Sequence, residues 1–490
     1  MIFWAHPADS SDEYHLISYK ERPVEPTLEQ TYQRRIAELE AQVVELKAQV
    51  TRLSEQIARL SKNSSNSSKP PSSYIVKPLR AASSKKTRRK IGGQPGHAKH
   101  ERPLFSTAQI DEVRAYRLDR CPDCGGPVSC RPQEARVVQQ VEIVERPVEI
   151  VEHRAEACWC RRCRKVVHAP LPAAVQKGGL LGAQLTALVA YLKGICHASF
   201  STIRQFLRDV LNIPISRGQL AKVIGKVSTA LGPVYEELRA RLPGESWLNV
   251  DETGHKENGK PYGTWCFRAE LYTLFKIDPS RGSAVLIEML GKEFDGVLGC
   301  DYFSAYRKYM REFSVEVQFC LAHLIRDVKF LISLPDKLTR VYGERVLDAL
   351  RGLFRVIHRR ETMTPQRFQR ALEKARGDVI AAAMWAPRRR EARNLAKRFR
   401  LHGKAYFRFI TTPGVEPTNN LAEQAMRFVV IDRRITQGTR SERGRQWCER
   451  IWTVIATCTQ QARSVFDYLR EVTLAHFQDH PTLSLLPAGP

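Results

Sequence analysis

The stretch WLNVDETGH, residues 247–255, places two acids, Asp251 and Glu252, directly after an apolar run. The run predicts a buried strand, and neighbouring side chains on a strand point to opposite faces of the sheet. The two carboxylates therefore cannot easily serve one site together. We take Asp251 as the candidate site residue and expect Glu252 to face the other way or to start a turn, with a supporting role at most.

A second stretch, DGVLGCDYFSAY at residues 295–306, repeats this form and ends its apolar run in Asp301. The segments between them, residues 263–277 and 283–290, are also predicted as strands. Such a sheet brings Asp251 and Asp301 to one edge, where shared carboxylates hold two metal ions about 3.5–4 Å apart for phosphoryl chemistry. Oxygen ligands suit Mg²⁺ or Mn²⁺. Two strand-end acids that face solvent fit the spacing equally well.

The composition indicates a polyanionic partner. The chain of 490 residues is long enough for several domains, and its 78 Lys and Arg against 52 Asp and Glu give a net charge of +26. Nucleic acid is the commonest partner for such an excess. No apolar run approaches the roughly 20 residues that span a bilayer, and the first residues lack the pattern of a signal peptide. We therefore expect a cytoplasmic, nucleoid-associated protein without a membrane partner.

A heptad pattern follows a leader, residues 1–27, that is predicted to be disordered. Residues 28–61 are predicted to form a coiled coil with β-branched a positions and Leu at every d position, a choice that favours a parallel dimer. The alternative is one long helix that packs on its own chain. The seam residues are Ile36, Leu39, Val43, Leu46, Val50, Leu53, Ile57 and Leu60.

Residues 62–110 are predicted to be a basic linker. The Ser-, Asn- and Pro-rich stretch at 61–73 cannot build a core. The run KKTRRK at 85–90 suggests a flexible arm that binds phosphates, and a solvated tail is the alternative.

Residues 111–172 contain two C-x-x-C pairs, Cys121 with Cys124 and Cys160 with Cys163. Four thiolates complete a tetrahedral zinc site with no open position, so the predicted role of Zn²⁺ is structural. The alternating residues 137–156 predict a β-hairpin, which makes the module an enlarged zinc ribbon. A pair of reduced knuckles without metal is the alternative.

Residues 173–243 are predicted to be helical. Three short helices, the third capped by Ser216, are similar to a DNA-binding helix-turn-helix unit. A helical connector fits equally well.

Glu423 and His323 lie in two later motifs. Glu423 belongs to PTNNLAEQAMR, where Asn420 as N-cap would make it a capping-box residue. Its pairing with Arg427 is a further alternative. On the residues alone, capping is favoured over catalysis. His323 lies one helical turn after Cys320 in CLAHLIRD.

Taken together, seven motifs resemble the insertion-sequence-66 family of bacterial transposases over residues 30–475. They are SKNSSNSSKPPSS, GGQPGHAKH, CPDCGG with CRRC, VDETGHK, GCDYFSAY, CLAHLIRD and PTNNLAEQAMR. The family usually has Asp where this chain has Tyr74. The resemblance implies a ribonuclease H-like fold with an Asp-Asp-Glu triad at Asp251, Asp301 and Glu423 that binds Mg²⁺. It makes Glu423 a metal ligand rather than a cap.

The expected fold is therefore multidomain α+β: coiled coil, zinc ribbon, helical DNA-binding segment, and a ribonuclease H-like α/β catalytic domain. The catalytic core is expected at 244–334 and 406–475, with a helical insertion at 335–405 and a tail at 476–490. The basic end of the insertion, residues 388–400, suggests a DNA-facing surface, and a solvated helix face is the alternative.

The expected function is DNA transposition. The enzyme would bind double-stranded DNA at the inverted repeats of the element, cleave it, and join the 3′ hydroxyl to target DNA as a homodimer or higher oligomer. Small accessory proteins of the element are possible partners. His323 is expected near the scissile phosphate, with a core histidine as the alternative. The rival functions are a zinc-containing DNA-binding regulator and a nuclease that does not join strands.

Overall fold

The structure is a computed structural model. It describes residues 27–63, 66, 104–116, 120, 123–127, 137–141, 143–144, 147–162 and 164–487, without the side chains of 160 and 165. The chain divides into two compact units. Unit 1 contains residues 1–69 and 325–400, and unit 2 contains residues 70–324 and 401–490.

Five of the strands lie between residues 247 and 319, and helices dominate the rest of the described residues. The strands are β1 (Ala157–Cys160), β2 (Lys165–His168), β3 (Trp247–Glu257), β4 (Lys260–Arg268), β5 (Thr273–Asp278), β6 (Val297–Cys300) and β7 (Glu316–Phe319). The helices are α1 (Leu28–Leu60), α2 (Ala173–Gly178), α3 (Ala183–Gly194), α4 (Phe200–Leu211), α5 (Arg217–Ala230), α6 (Gly232–Arg241), α7 (Ser283–Leu290), α8 (Ser304–Phe313), α9 (Leu321–Ile332), α10 (Lys337–Ile357), α11 (Pro365–Met384), α12 (Arg390–His402), α13 (Asn420–Thr436), α14 (Glu442–Gln460) and α15 (Val465–Phe477). No helix in the described ranges is long and apolar enough to cross a membrane.

Unit 1 is helical. Its α10 and α11 pack against each other, and Val346, Leu350 and Leu353 of α10 are buried at the spacing of one helix face. The heptad segment forms the single helix α1, and its C-terminal end lies against the insertion through Glu55 and Arg389, whose carboxylate and guanidinium are 2.9 Å apart. All eight seam residues are exposed.

Unit 2 is built on a mixed five-stranded sheet of order β5-β4-β3-β6-β7. β3 pairs antiparallel with β4 and parallel with β6. The parallel register joins residues 50 positions apart, such as Trp247 with Val297. Asp251 and Asp301 are also 50 positions apart, so the same register sets them side by side where β6 ends.

Two strand predictions in this region are wrong. Residues 283–290, predicted as a strand, form the helix α7, because a short apolar run without turn signals fits a buried helix as well as a strand. Asp251 does not end its strand, since β3 continues to Glu257 along β4. Glu252 therefore does not start a turn.

The edge strand β5 is covered by α14. Three side chains of α14, one per helical turn, accept hydrogen bonds from alternate backbone N–H groups of β5 that point away from β4. The pairs are Thr457 with Thr273 (3.1 Å), Thr453 with Phe275 (3.1 Å) and Glu449 with Ile277 (2.7 Å). Because these bonds occupy the N–H groups at this edge of the sheet, the edge does not offer them to a strand of another chain.

The cysteine module is described only in part. Cys121, Cys163 and the side chain of Cys160 lie outside the described residues, as do the leader up to residue 26 and most of the basic arm. Cys124 is exposed. A hairpin is present, but β1 and β2 form it, and the described residues of 137–156 contain no strand. Apolar and polar residues alternate there, but alternation alone does not make a strand, because a strand also needs a partner for its backbone hydrogen bonds.

The segment 173–243 is helical, and it contains the five helices α2 to α6 rather than the three that the sequence predicts. Ser216 caps α5 in a capping box with Gln219. α3 packs against α5 and α15, which joins this segment to the C-terminal helices of unit 2.

Candidate active site

One face of β3 is turned towards α13 and the turn after it. Since side chains at every second position share a face, Asp251 lies on the same face as three neighbours that bond to the segment 419–439. These contacts are Asn249 Nδ2 to Asn419 Oδ1 (2.9 Å), Arg433 Nη1 to Thr253 Oγ1 (3.1 Å), and His255 Nε2 with Thr439 Oγ1 (3.2 Å).

Glu252 occupies the opposite face. It accepts a hydrogen bond from the Tyr306 hydroxyl at 2.5 Å and one from the Arg281 guanidinium at 3.0 Å. Burial and the charge of Asp301 raise the pKa of Glu252 to about 7. Glu252 thus ties β3 to α8 and stands apart from the face of Asp251.

Asp251, Asp301 and Glu423 form one electrostatic cluster. Burial raises the pKa of Asp251 well above its usual range, and the charges of Glu252, Asp301 and Glu423 add to this rise. Asp301 directly follows β6, and its Oδ1 accepts the Phe303 N–H at 2.8 Å. The fold therefore gathers three carboxylates that are 50 and 122 positions apart in the chain.

Glu423 is not a capping residue. The N-cap of α13 is Asn419, not Asn420, and no side chain caps this helix. The Asn419 amide is turned to β3, where its Nδ2 donates to the Val250 carbonyl at 2.7 Å. The Glu423 carboxylate instead lies 3.5 Å from Nδ1 of His323.

Cys320 and His323 stand beside Glu423. The Leu321 N–H donates to the Pro417 carbonyl at 3.0 Å, which holds the start of α9 against the approach to α13. Cys320, His323 and Glu423 offer ligand atoms within 4.8 Å of one another. Cys320 Sγ also accepts the Asn419 N–H at 3.2 Å, and burial raises its pKa to about 11, which favours the thiol form at neutral pH.

The donor set fits a hard divalent cation. Carboxylate oxygens are the ligands that Mg²⁺ and Mn²⁺ prefer, and such a cation would offset the burial and the neighbouring negative charges that raise the pKa of Asp251. A metal at Cys320 would have to displace the proton of its thiol.

Asn419 and Arg433 are site residues that sequence reasoning did not single out. Both hold α13 against β3 through side-chain bonds. An Asn doublet before a helix is typical of an N-cap, and only the position of β3 reveals that the first Asn of the doublet, Asn419, bonds to the sheet.

This part of the chain is similar to a known protein family. A profile of the family described as "Transposase IS66 family" matches residues 178–447, more than half of the chain. Another profile, described as "Family of unknown function (DUF6444)", matches residues 24–103. The chain is also similar to an uncharacterized protein, y4hP, of Sinorhizobium fredii, with 23% identity over 418 residues, 74% of this chain and 72% of that protein. The first match includes Asp251, Asp301, His323 and Glu423.

Proposed function

The chain belongs to the IS66 family of transposases, and from this premise we propose that it cleaves DNA at the ends of its element and joins the freed 3′ hydroxyl to target DNA. The convergence of Asp251, Asp301 and Glu423 on one edge of the sheet carries the proposal. The order of the strands and the two neighbouring aspartates support a ribonuclease H-like catalytic domain.

Asp251, Asp301 and Glu423 would hold the catalytic Mg²⁺ or Mn²⁺, which supplies Lewis-acid activation of the attacking hydroxyl and charge neutralisation at the phosphate. His323 is a positioning residue, because it contacts the Glu423 carboxylate and orients it. The Phe303 N–H fixes Asp301. Asn419 and Arg433 keep α13, and with it Glu423, in register with β3.

The other segments complete the proposal. The cysteine module with structural Zn²⁺, the basic arm and the helical segment at 184–227 bind the terminal repeats. The seam of α1, exposed along its length, pairs two subunits so that two ends are processed together. The excess of basic residues makes this binding fall steeply with salt, and the enzyme acts at the nucleoid.

The test is cleavage of labelled element-end DNA with Mg²⁺ by the wild type, Asp301→Asn and Asp295→Asn. Asp295 is an exposed acid just before β6 and serves as the matched control. Cleavage and strand joining should be lost in Asp301→Asn by at least about 10³-fold, a loss of the size expected when an essential catalytic group is removed, and retained in Asp295→Asn.

Equal cutting by all three proteins would refute the triad. Cutting without joining would identify a nuclease instead. Binding without cutting by the wild type, with accessory proteins of the element also supplied, would identify a regulator.

A further inference from the structure

A basic cleft lies on the face of the sheet opposite Asp251. It has a volume of about 450 Å³ and is lined by the start of α7, the start of α8 and four basic side chains. The four are Arg281, Arg307, Lys308 and Arg311. None of them belongs to the triad or contacts Glu423 among the described residues.

The cations of α8 are set on one side of the helix. Tyr306 and Tyr309 are buried on the other side, and the positions 304, 307, 308 and 311 line the cleft at helical spacing. Arg307 stacks on the Tyr302 ring at 4.6 Å, and its planar, permanently charged guanidinium suits a phosphate. Lys308 also lies 3.8 Å from Glu312, an exposed pair that costs little to break.

Two helix N-termini open into the same cleft. α7 begins after Gly282 and α8 after Phe303, and neither has a side-chain cap among the described residues. The backbone N–H groups of a first turn favour an anion. Their partial positive charge adds to the charge of the four basic side chains.

The cleft is coupled to the catalytic strand. Arg281 at its rim and Tyr306 below it both bond to Glu252, the residue after Asp251. Asp301 lies three residues before Ser304, the first residue of α8. A DNA strand with one phosphate at Asp301 therefore passes next to the start of α8.

We propose that this cleft binds phosphate groups of the DNA backbone beside the cleaved linkage and so orients the strand. This proposal rests on the proposed function in taking DNA as the ligand. Its residues hold no metal and take no part in bond breaking, so they are positioning residues.

The experiment measures binding of an element-end duplex by fluorescence anisotropy at several salt concentrations. The triple variant Arg307→Gln, Lys308→Gln and Arg311→Gln is compared with Lys256→Gln, Lys260→Gln and Lys292→Gln. The control residues are exposed cations of the same unit that lie outside the cleft. Each lost phosphate contact lowers the slope of log K against log salt by about 0.9. We expect a reduction of about 2–3 for the cleft variant and a smaller one for the control.

A second arm locates the contact. Neutral methylphosphonate linkages are placed one at a time near the cleavage position of the duplex. At one or two linkages the wild type should bind more weakly, by about tenfold, and this difference should vanish in the cleft variant. Thermal unfolding and the Arg307→Lys, Arg311→Lys variant, which should restore binding, exclude a folding defect.

Equal slopes of log K against log salt for the cleft and control variants would overturn the proposal. The proposal would also fail if no methylphosphonate linkage weakens binding by the wild type more than binding by the cleft variant. Saturable binding of inorganic phosphate at the cleft with no change in duplex binding would also overturn it. If the wild type never cuts DNA but the cleft variant shows the expected reduction in the slope of log K against log salt, the proposed function fails and this inference stands.

Discussion

At the scale of single residues, adjacent acids receive different roles from strand geometry. Asp251 shares its face with Asn249 and Thr253, which bond to α13, whereas Glu252 bonds to Tyr306 and Arg281. A carboxylate buried beside like charges is unfavourable until a cation or a proton neutralises it. A cation bound next to Asp251 would therefore lower the free-energy cost of its negative charge.

Replacing Asp251 with Asn should stabilise the protein while it removes the proposed activity. The neutral amide avoids the burial and repulsion that raise the pKa of Asp251. The thermal midpoint without divalent cations should rise by a few degrees, at about 2–4 °C per kcal/mol.

Addition of Mg²⁺ should raise the midpoint of the wild type more than that of Asp251→Asn, because the variant has lost one ligand. Asp295→Asn should behave as the wild type. A lower midpoint for Asp251→Asn together with an unchanged response to Mg²⁺ would contradict this assignment.

At the scale of elements, α14 acts as a substitute strand for β5. Its three accepting side chains recur every four residues and match the alternate N–H groups of an edge strand. Glu449 is the one ionisable member, and burial raises its pKa to about 7. Lys276, Arg445 and Arg450 partly oppose this rise.

The stability of the wild type should depend on pH through Glu449. Its ordinary pKa is 4.5, so between about pH 4.5 and pH 7 the folded state keeps a proton that the unfolded state has released. Stability contributed by this group is therefore complete at lower pH and falls as pH rises to about 7.

The variant Glu449→Gln keeps an oxygen that accepts the Ile277 N–H but has no charge to bury. The thermal midpoint of the variant relative to the wild type should rise by several degrees from pH 5 to pH 8. Thr453→Ser, which keeps its acceptor, serves as the control. A difference in thermal midpoint between Glu449→Gln and the wild type that stays constant from pH 5 to pH 8 would refute the raised pKa of Glu449.

At the scale of the whole molecule, we propose that α1 determines assembly. Its end contacts the insertion through Glu55 and Arg389 within unit 1, while the heptad seam stays exposed. An unbroken seam with β-branched a positions and Leu at d positions favours a coiled coil of two parallel helices. We therefore expect the full chain to associate through α1.

Leu46→Lys with Leu53→Lys, both at d positions, should dissociate the oligomer. The matched control is Ala41→Lys with Ala48→Lys, which adds the same charge on the outer face of the same helix. Sedimentation equilibrium should give monomer mass for the first variant and the wild-type mass for the control. If the wild type is itself a monomer, or the seam variant keeps its mass, association through α1 is refuted.

Local patterns of the sequence were sufficient for the helical character of residues 173–243 and 335–405, for Ser216 as a cap and for the two aspartate-bearing strands, because spacing and capping depend on near neighbours. They failed for residues 283–290, since an apolar run of eight fits two structures. They also placed the N-cap one residue too late at Asn420.

The sequence by itself determined which acids are candidates, through the apolar runs that precede Asp251 and Asp301 and through the family motif around Glu423. Only the tertiary structure decided which of them meet. The parallel register of β3 and β6 aligns the aspartates, and Asn419 turns α13 so that Glu423 faces them. Contacts between residues 50 to 172 positions apart depend on how strands and helices pack together, and no local pattern encodes that packing.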